Sequence, residues 1–213
     1  MNIIKAKSPD LENTLIEYLL RDYENFGVEN LFIPAGGTPE LLYRRLSESF
    51  LSHFSSFSFW QIDDILTGSK AGMFESFFEK HLSPFLSQIK PIRKYNFSYQ
   101  HSFSSILGLG TNGHVAFHEP HIPENFSFGC VELGEETIKY LQLPSTDKYP
   151  TWGITYGLSS FLKSQSIYLI VKGNHKRNIL KRFIEDDNSI PAVKLKKHPN
   201  LFLFVDESLS DLF

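Results

Sequence analysis

The segment GLGTNGHVAFHEP, from Gly108 to Pro120, sets three glycines in G-x-G-x-x-G spacing ahead of His114 and Glu119. An imidazole titrating near neutral pH suits proton transfer, and a carboxylate can orient it and stabilise its charged form. The same spacing is the dinucleotide-binding fingerprint. That reading requires the glycine loop to open a continuous helix, with an acidic residue about 20 positions on. Pro120 and Pro123 follow closely and would break such a helix at its start, so a tight turn displaying polar side chains is expected instead. His114, His118 and His121 are also metal-ligand types. HEPH is not HExxH, however, and the proline spoils the helical i, i+4 geometry, so no metal is expected.

Three further segments place polar residues after apolar runs. In PAGGTPELLYRRL (34–46), Gly36 and Gly37 let the backbone approach a ligand, Thr38 is a candidate N-cap, and Pro39 suits the first helical position. Free N–H groups and the positive end of a helix dipole make this an anion site; the alternative is a plain strand-to-helix turn. In FWQIDDILTG (59–68), Asp63 and Asp64 are adjacent carboxylates. Neighbours on an extended strand face opposite sides, so one could serve as a base in a cleft while the other braces the loop. In VKGNHKRNILKRF (171–183), Lys176 lies in the first turn of a helix, where a cation opposes the dipole. An anionic ligand would account for that placement, as against an ordinary solvated lysine.

These loops need strands to position them. NLFIPA (30–35), FSFWQID (57–63), 104–109, SIYLIVK (166–172) and LFLFV (201–205) read as strands. Helices are expected from Pro39, near 73–86 and through 176–184, and additional short strands at 128–133 and 151–155. Strands alternating with helices imply a three-layer, doubly wound, mostly parallel sheet with helices on both faces, a Rossmann-like α/β topology. In such sheets ligands bind outside the carboxyl ends of the strands, where all four loops fall. No repeat or linker is evident, so residues 1–213 are expected to form one domain.

The 213 residues carry a net charge of −3 and no basic block, which argues against nucleic acid as a partner. The first residues lack the apolar run of a signal peptide. No stretch approaches the roughly 18 consecutive apolar residues of a membrane span, so no membrane partner is expected. Cys130 is the one cysteine. It permits no internal disulfide, is expected to be a small buried filler, and fits a reducing, cytoplasmic setting. Twenty phenylalanines are read as core filling.

In order, these segments resemble the glucosamine-6-phosphate deaminase and 6-phosphogluconolactonase superfamily. PAGGTPELLY is similar to its S/T-GGTP phosphate loop, QIDD to its M-D-E segment, and GLGTNGHVAFHEP to G-x-G-x-D-G-H-I-A-F-N-E-P. GITYGLSSFLKSQSIYLIVKGNHK and SIPAVKLKKHPNLFLFVDESLSDL resemble its strand–Gly–x–x–Lys element and closing segment. The resemblance covers most of the chain, most loosely between residues 66 and 103. It implies that Asp63 moves the C2 proton, that His114 is the ring-opening acid/base supported by Glu119, and that Gly36, Gly37, Thr38 and Lys176 grip the phosphate, with Asp64 on the substrate side. A sugar phosphate is the implied partner; no cofactor is implied, and assembly into a homo-oligomer stays open.

AFHEP keeps the glutamate where lactonases run on as T-A-S-L-F-P, and DDI stands where lactonases carry D-E-R, so the deaminase branch is the closer resemblance. It implies conversion of glucosamine 6-phosphate, or galactosamine 6-phosphate, to a ketohexose 6-phosphate plus ammonia. A 6-phosphogluconolactonase and a catalytically weak sugar-phosphate-binding protein are the alternatives. The chain departs from the family pattern in three ways. Asn112 replaces the Asp of D-G-H, and Met73–Phe74 replaces a Ser-Tyr pair in a shortened lid. No arginine aligns with a second phosphate ligand, for which Lys139 and Lys148 are the candidates.

Overall fold

The computed structural model describes residues 1–144 and 151–213. Its main sheet has central strands that are runs buried on both faces, the pattern expected of parallel strands covered on each side. The strands are β1 (Asn2–Ala6), β2 (Asn30–Ile33), β3 (Ser58–Gln61), β5 (Ile89–Lys90), β6 (Phe103–Gly108), β9 (Ile167–Val171) and β10 (Leu201–Asp206). They lie in the order β1-β10-β9-β6-β2-β3-β5, and every pairing is parallel. β4 (Asp63–Ile65) belongs to a separate antiparallel sheet, ordered β4-β8-β7, with β7 at Phe128–Glu132 and β8 at Trp152–Tyr156.

Successive strand residues point to opposite faces, and the two cores follow that alternation. Leu31, Ile33, Ile106, Tyr168 and Phe204 face one core, with α1 (Asp10–Phe26), α2 (Glu40–Ser49) and α3 (Met73–His81). Phe32, Leu107, Leu169, Leu203 and Val205 face the other, with α5 (Leu158–Phe161) and α6 (Arg177–Ile184). Phe32 alone stacks or edges onto Phe97, Phe103, Phe161 and Tyr156, so the phenylalanines do fill the core.

The chain runs outward through β2, β3 and β5, then returns to lay β6 against the other side of β2. The loops leaving β2 and β6 therefore diverge at the point where strand order reverses, which is where open α/β sheets form their ligand crevice. This is the doubly wound architecture expected from the sequence. No helix among the described residues is long and apolar enough to cross a membrane.

Three local expectations are corrected. The run 57–63 is two strands, because the chain breaks at Ile62 and Asp63 starts the small sheet. Thr38 does not cap α2; Pro39 holds the N-cap position and no side chain bonds there. Cys130 is exposed, because β7 buries Val131 on one side and turns Cys130 and Glu132 to solvent. α1 and β1 extend the alternation to the N-terminus. Asp22, buried in the last turns of α1, accepts from Ser104 Oγ (2.6 Å), Ser166 Oγ (3.1 Å) and Tyr168 OH (2.7 Å), fixing that helix to the sheet.

Candidate active site

A cleft opens at the carboxyl ends of β2 and β6. Its walls include Gly36, Gly37, Thr38, Asp63, Phe74, Gly108, Gly110, His114, Thr137, Tyr140 and Lys176. The loop after β2 presents bare backbone: Gly36 sits at φ 109, and no atom lies within 4 Å of where a side chain on Gly36 or Gly37 would begin. Among the described residues no backbone carbonyl accepts from the N–H groups of Gly36, Gly37 or Thr38. Tyr43, one turn into α2, donates to Pro34 O at 2.5 Å and ties this loop to its helix.

The glycines of GLGTNGH serve a turn. The N–H of Gly113 donates to Gly110 O (3.0 Å) and that of Gly110 to His114 O (2.9 Å). Gly113 holds φ 84. Gly110 packs flat beneath the imidazole, so a Cβ there would lie 2.2 Å from His114 Nε2 and 2.3 Å from Cδ2. No helix follows, which removes the dinucleotide reading. Burial, and secondarily the charge of Lys176, pull the imidazole down to about 4, so the ring is neutral at physiological pH. Its Nδ1 is buried with no hydrogen-bond partner among the described residues.

Asp63 and Asp64 diverge as adjacent strand residues must. Asp63, 6% exposed, lines the cleft. Its Oδ1 has no partner among the described residues, and burial, then repulsion from Asp64, hold its carboxyl well above the usual range. Asp64 turns the other way. Its Oδ1 accepts from Ile65 N–H (2.8 Å) and Phe74 N–H (3.1 Å), bracing the start of α3, and burial also raises its carboxyl.

Lys176 ends the short turn Asn174–Lys176 that leads into α6. Gly173, at φ 88, sets the approach, and Asp206 accepts its N–H at 2.8 Å. The lysine is 7% exposed and lines the cleft, and burial lowers its pKa. Its Nζ lies 5.8 Å from the centre of the Tyr140 ring, and no carboxylate pairs with it among the described residues. It is the one lysine or arginine among the described residues lining the cleft.

Of the residues singled out from sequence, Gly36, Gly37, Thr38, Asp63, His114 and Lys176 meet in this cleft, while Asp64, Asn112 and Glu119 do not line it. Asn112 Oδ1 accepts the backbone N–H of His114 at 3.1 Å, shaping the turn and leaving the ring alone. Glu119 is buried, and its Oε1 accepts the N–H of Gly134 at 2.9 Å. Gly134 is the N-cap of α4 (Glu135–Tyr140), so the carboxylate anchors that helix. His118 likewise serves the frame, its Nδ1 accepting from Leu158 N–H at 3.2 Å. Lys139 is exposed and away from the cleft, and Lys148 lies outside the described residues. α4 itself, with Thr137, Tyr140 and Leu141 on its inner face, was not anticipated. Their i, i+3, i+4 spacing in EETIKYL was the available signal.

No family model matches the chain. Among curated proteins it is 30% identical over 220 residues to the glucosamine-6-phosphate deaminase of Lactococcus lactis subsp. cremoris, covering 91% of each chain. It is 27% identical to that of Streptococcus uberis, covering 97% of each. Among solved structures, a monomeric glucosamine-6-phosphate deaminase superposes with TM-score 0.82 at 20% identity over all of both chains. The 6-phosphogluconolactonase of Trypanosoma brucei superposes with TM-score 0.74 at 14% identity, covering 99% of this chain and 97% of that one.

Proposed function

The chain belongs to the glucosamine-6-phosphate deaminase family, and from that premise we propose that it converts glucosamine 6-phosphate and water to fructose 6-phosphate and ammonia in the cleft described above. The observation that carries the proposal is the convergence of Asp63 and His114, each with a buried polar atom lacking a partner among the described residues, on one cleft with Lys176.

The phosphoryl group binds at the open N–H groups of Gly36–Thr38 and the ammonium of Lys176, a backbone anion site reinforced by one charge. Its arrival cancels the Lys176 charge that helps depress His114 and so raises the proton affinity of the ring. His114 then carries the anomeric hydroxyl proton to the ring oxygen, opening the sugar to its C1 aldehyde. Asp63, ionised, removes the C2 proton; the pair of electrons left behind forms the C1–C2 double bond. The C1 carbonyl pair moves onto its oxygen, which takes a proton from water to give the enolamine. Returning that proton to C1 yields a C2 iminium, to which water adds, and C–N cleavage releases ammonia. No net oxidation occurs. A carboxylate whose proton affinity has been raised by burial is a stronger base toward carbon than an exposed one. The single exposed cysteine and the sugar-phosphate substrate suit a cytoplasmic enzyme.

An ammonia-release assay across glucosamine 6-phosphate, galactosamine 6-phosphate and 6-phosphogluconolactone tests the reading. Ammonia from an amino sugar is the expected result. Lactone hydrolysis with no ammonia from either amino sugar would overturn it.

A further inference from the structure

Thr137 is 2% exposed and lines the cleft, yet its hydroxyl is buried with no hydrogen-bond partner among the described residues. A threonine in the first turn of a helix can give its hydroxyl to a carbonyl three or four residues back, here that of Gly134 or Leu133. Here that bond is not made, and an orphaned buried hydroxyl weakens the fold. The helix that carries it is held at both ends. Glu119 accepts the N–H of Gly134, and a side chain on Gly134 would meet Glu119 Oε2 at 2.3 Å. At the other end Lys70 Nζ donates to Leu141 O at 2.7 Å. One turn along the same face, Tyr140 sets its ring 5.8 Å from Lys176 Nζ. Thr137 therefore shares a cleft wall with the Tyr140 ring that faces Lys176, the one lysine or arginine among the described residues lining the cleft.

Resting on the proposed sugar-phosphate chemistry of this site, we infer that Thr137 is a phosphoryl-binding residue. Rotation about χ1 exchanges its methyl and hydroxyl, and the hydroxyl then donates to a phosphoryl oxygen held by Lys176. A single lysine leaves the other terminal oxygens of the group needing donors. The loop at Gly36–Thr38 supplies some from one wall, and α4 supplies this one from another. Buried Glu119, which accepts from the N–H of Gly134, then serves to position α4.

The test compares Thr137→Val and Thr137→Ser in the full-length protein. Valine keeps the shape and removes the orphaned hydroxyl, so the variant melts at or above the wild-type temperature. Its KM for glucosamine 6-phosphate rises about tenfold to a hundredfold, the range for a hydrogen bond to a charged group, while kcat changes little. Inorganic phosphate, which raises the melting temperature of the wild type, does so less for this variant, and Thr137→Ser restores both readouts. Unchanged KM and phosphate protection in Thr137→Val, with wild-type ammonia release intact, would refute the inference and leave the enzymatic reading standing. Loss of melting temperature in Thr137→Val with restoration by Thr137→Ser would refute it as well, by showing a structural hydroxyl. A wild-type protein that releases no ammonia and gains no stability from phosphate would sink the enzymatic reading itself.

Discussion

Gly110→Ala isolates the placement of the His114 imidazole from the stability of the fold. The backbone at Gly110 lies outside the left-handed region, so alanine is conformationally acceptable there. The added methyl would lie 2.2 Å from His114 Nε2, where ordinary contact begins at 3.4 Å. The ring must therefore retreat by the difference, 1.2 Å. Misplacing a reacting group by about 1 Å costs roughly a hundredfold in rate, so kcat should fall by about that factor. KM, set chiefly at the phosphate end, should stay within a few-fold. Overpacking costs on the order of 1–3 kcal/mol, visible as a modest drop in melting temperature. Gly113→Ala is the contrasting variant: it combines φ 84 with a Cβ 2.4 Å from Ile190 Cβ, so its dominant loss is stability. Steady-state kinetics and thermal melts on both variants settle the point. Wild-type kcat in Gly110→Ala, or an activity loss in the two variants that merely follows their melting temperatures, would refute the reasoning.

Lys176→Ala should raise KM for the phosphorylated sugar by about tenfold or more, the weight of a charge-assisted hydrogen bond, and abolish protection by inorganic phosphate in a thermal melt. Glu119→Gln keeps an acceptor for the N–H of Gly134 and should retain most activity, whereas Glu119→Ala should lose phosphate affinity along with the anchored helix; equal loss in both would mean that the charge itself matters. His114→Gln should flatten the pH dependence of stability. The wild-type ring titrates near 4 when folded and near 6.5 when unfolded. The unfolded chain thus binds more protons in that window, and stability is lost as pH falls from about 6.5 toward 4. Melting curves across that interval check it, with the contribution of His118, also pulled down to about 4, remaining in both proteins.

The architecture was readable because a parallel sheet covered on both faces writes its strands as dense apolar runs, as in SIYLIVK and LFLFV. β1 escaped that signal because it is an edge strand, paired on one side only and largely exposed. α1 carries a clear stripe at Leu11, Leu15, Ile16 and Leu19, which a reading built outward from the polar loops passes over. At the site, the residues legible from sequence were those tied to backbone geometry: the glycines of two turns and the polar groups at strand exits. The direction of each side chain was less accessible. Residue type and position do not tell Asp63 from Asp64, which only the family resemblance separated; in the structure the switch of β4 into the small sheet turns Asp63 to the cleft. Glu119 lies five residues from His114 in sequence, yet a turn through Val115–His118 carries it to the N-terminus of α4. Thr137 gave no signal alone, since what marks it is a buried hydroxyl without a hydrogen-bond partner among the described residues.

In the proposed mechanism Asp63 is the base that moves a carbon-bound proton. Release of ammonia from glucosamine 6-phosphate by the wild type and by Asp63→Asn, measured beside thermal melts of both, tests it most directly. If Asp63 is that base, kcat falls roughly 10²–10⁴-fold with KM little changed. The melting temperature of Asp63→Asn is also expected at or above wild type at neutral pH. The folded carboxyl holds its proton to higher pH than the unfolded one, so ionisation as pH rises above about 4 weakens the wild-type fold, and the amide removes that burden. Ammonia release by Asp63→Asn at the wild-type rate would contradict the account.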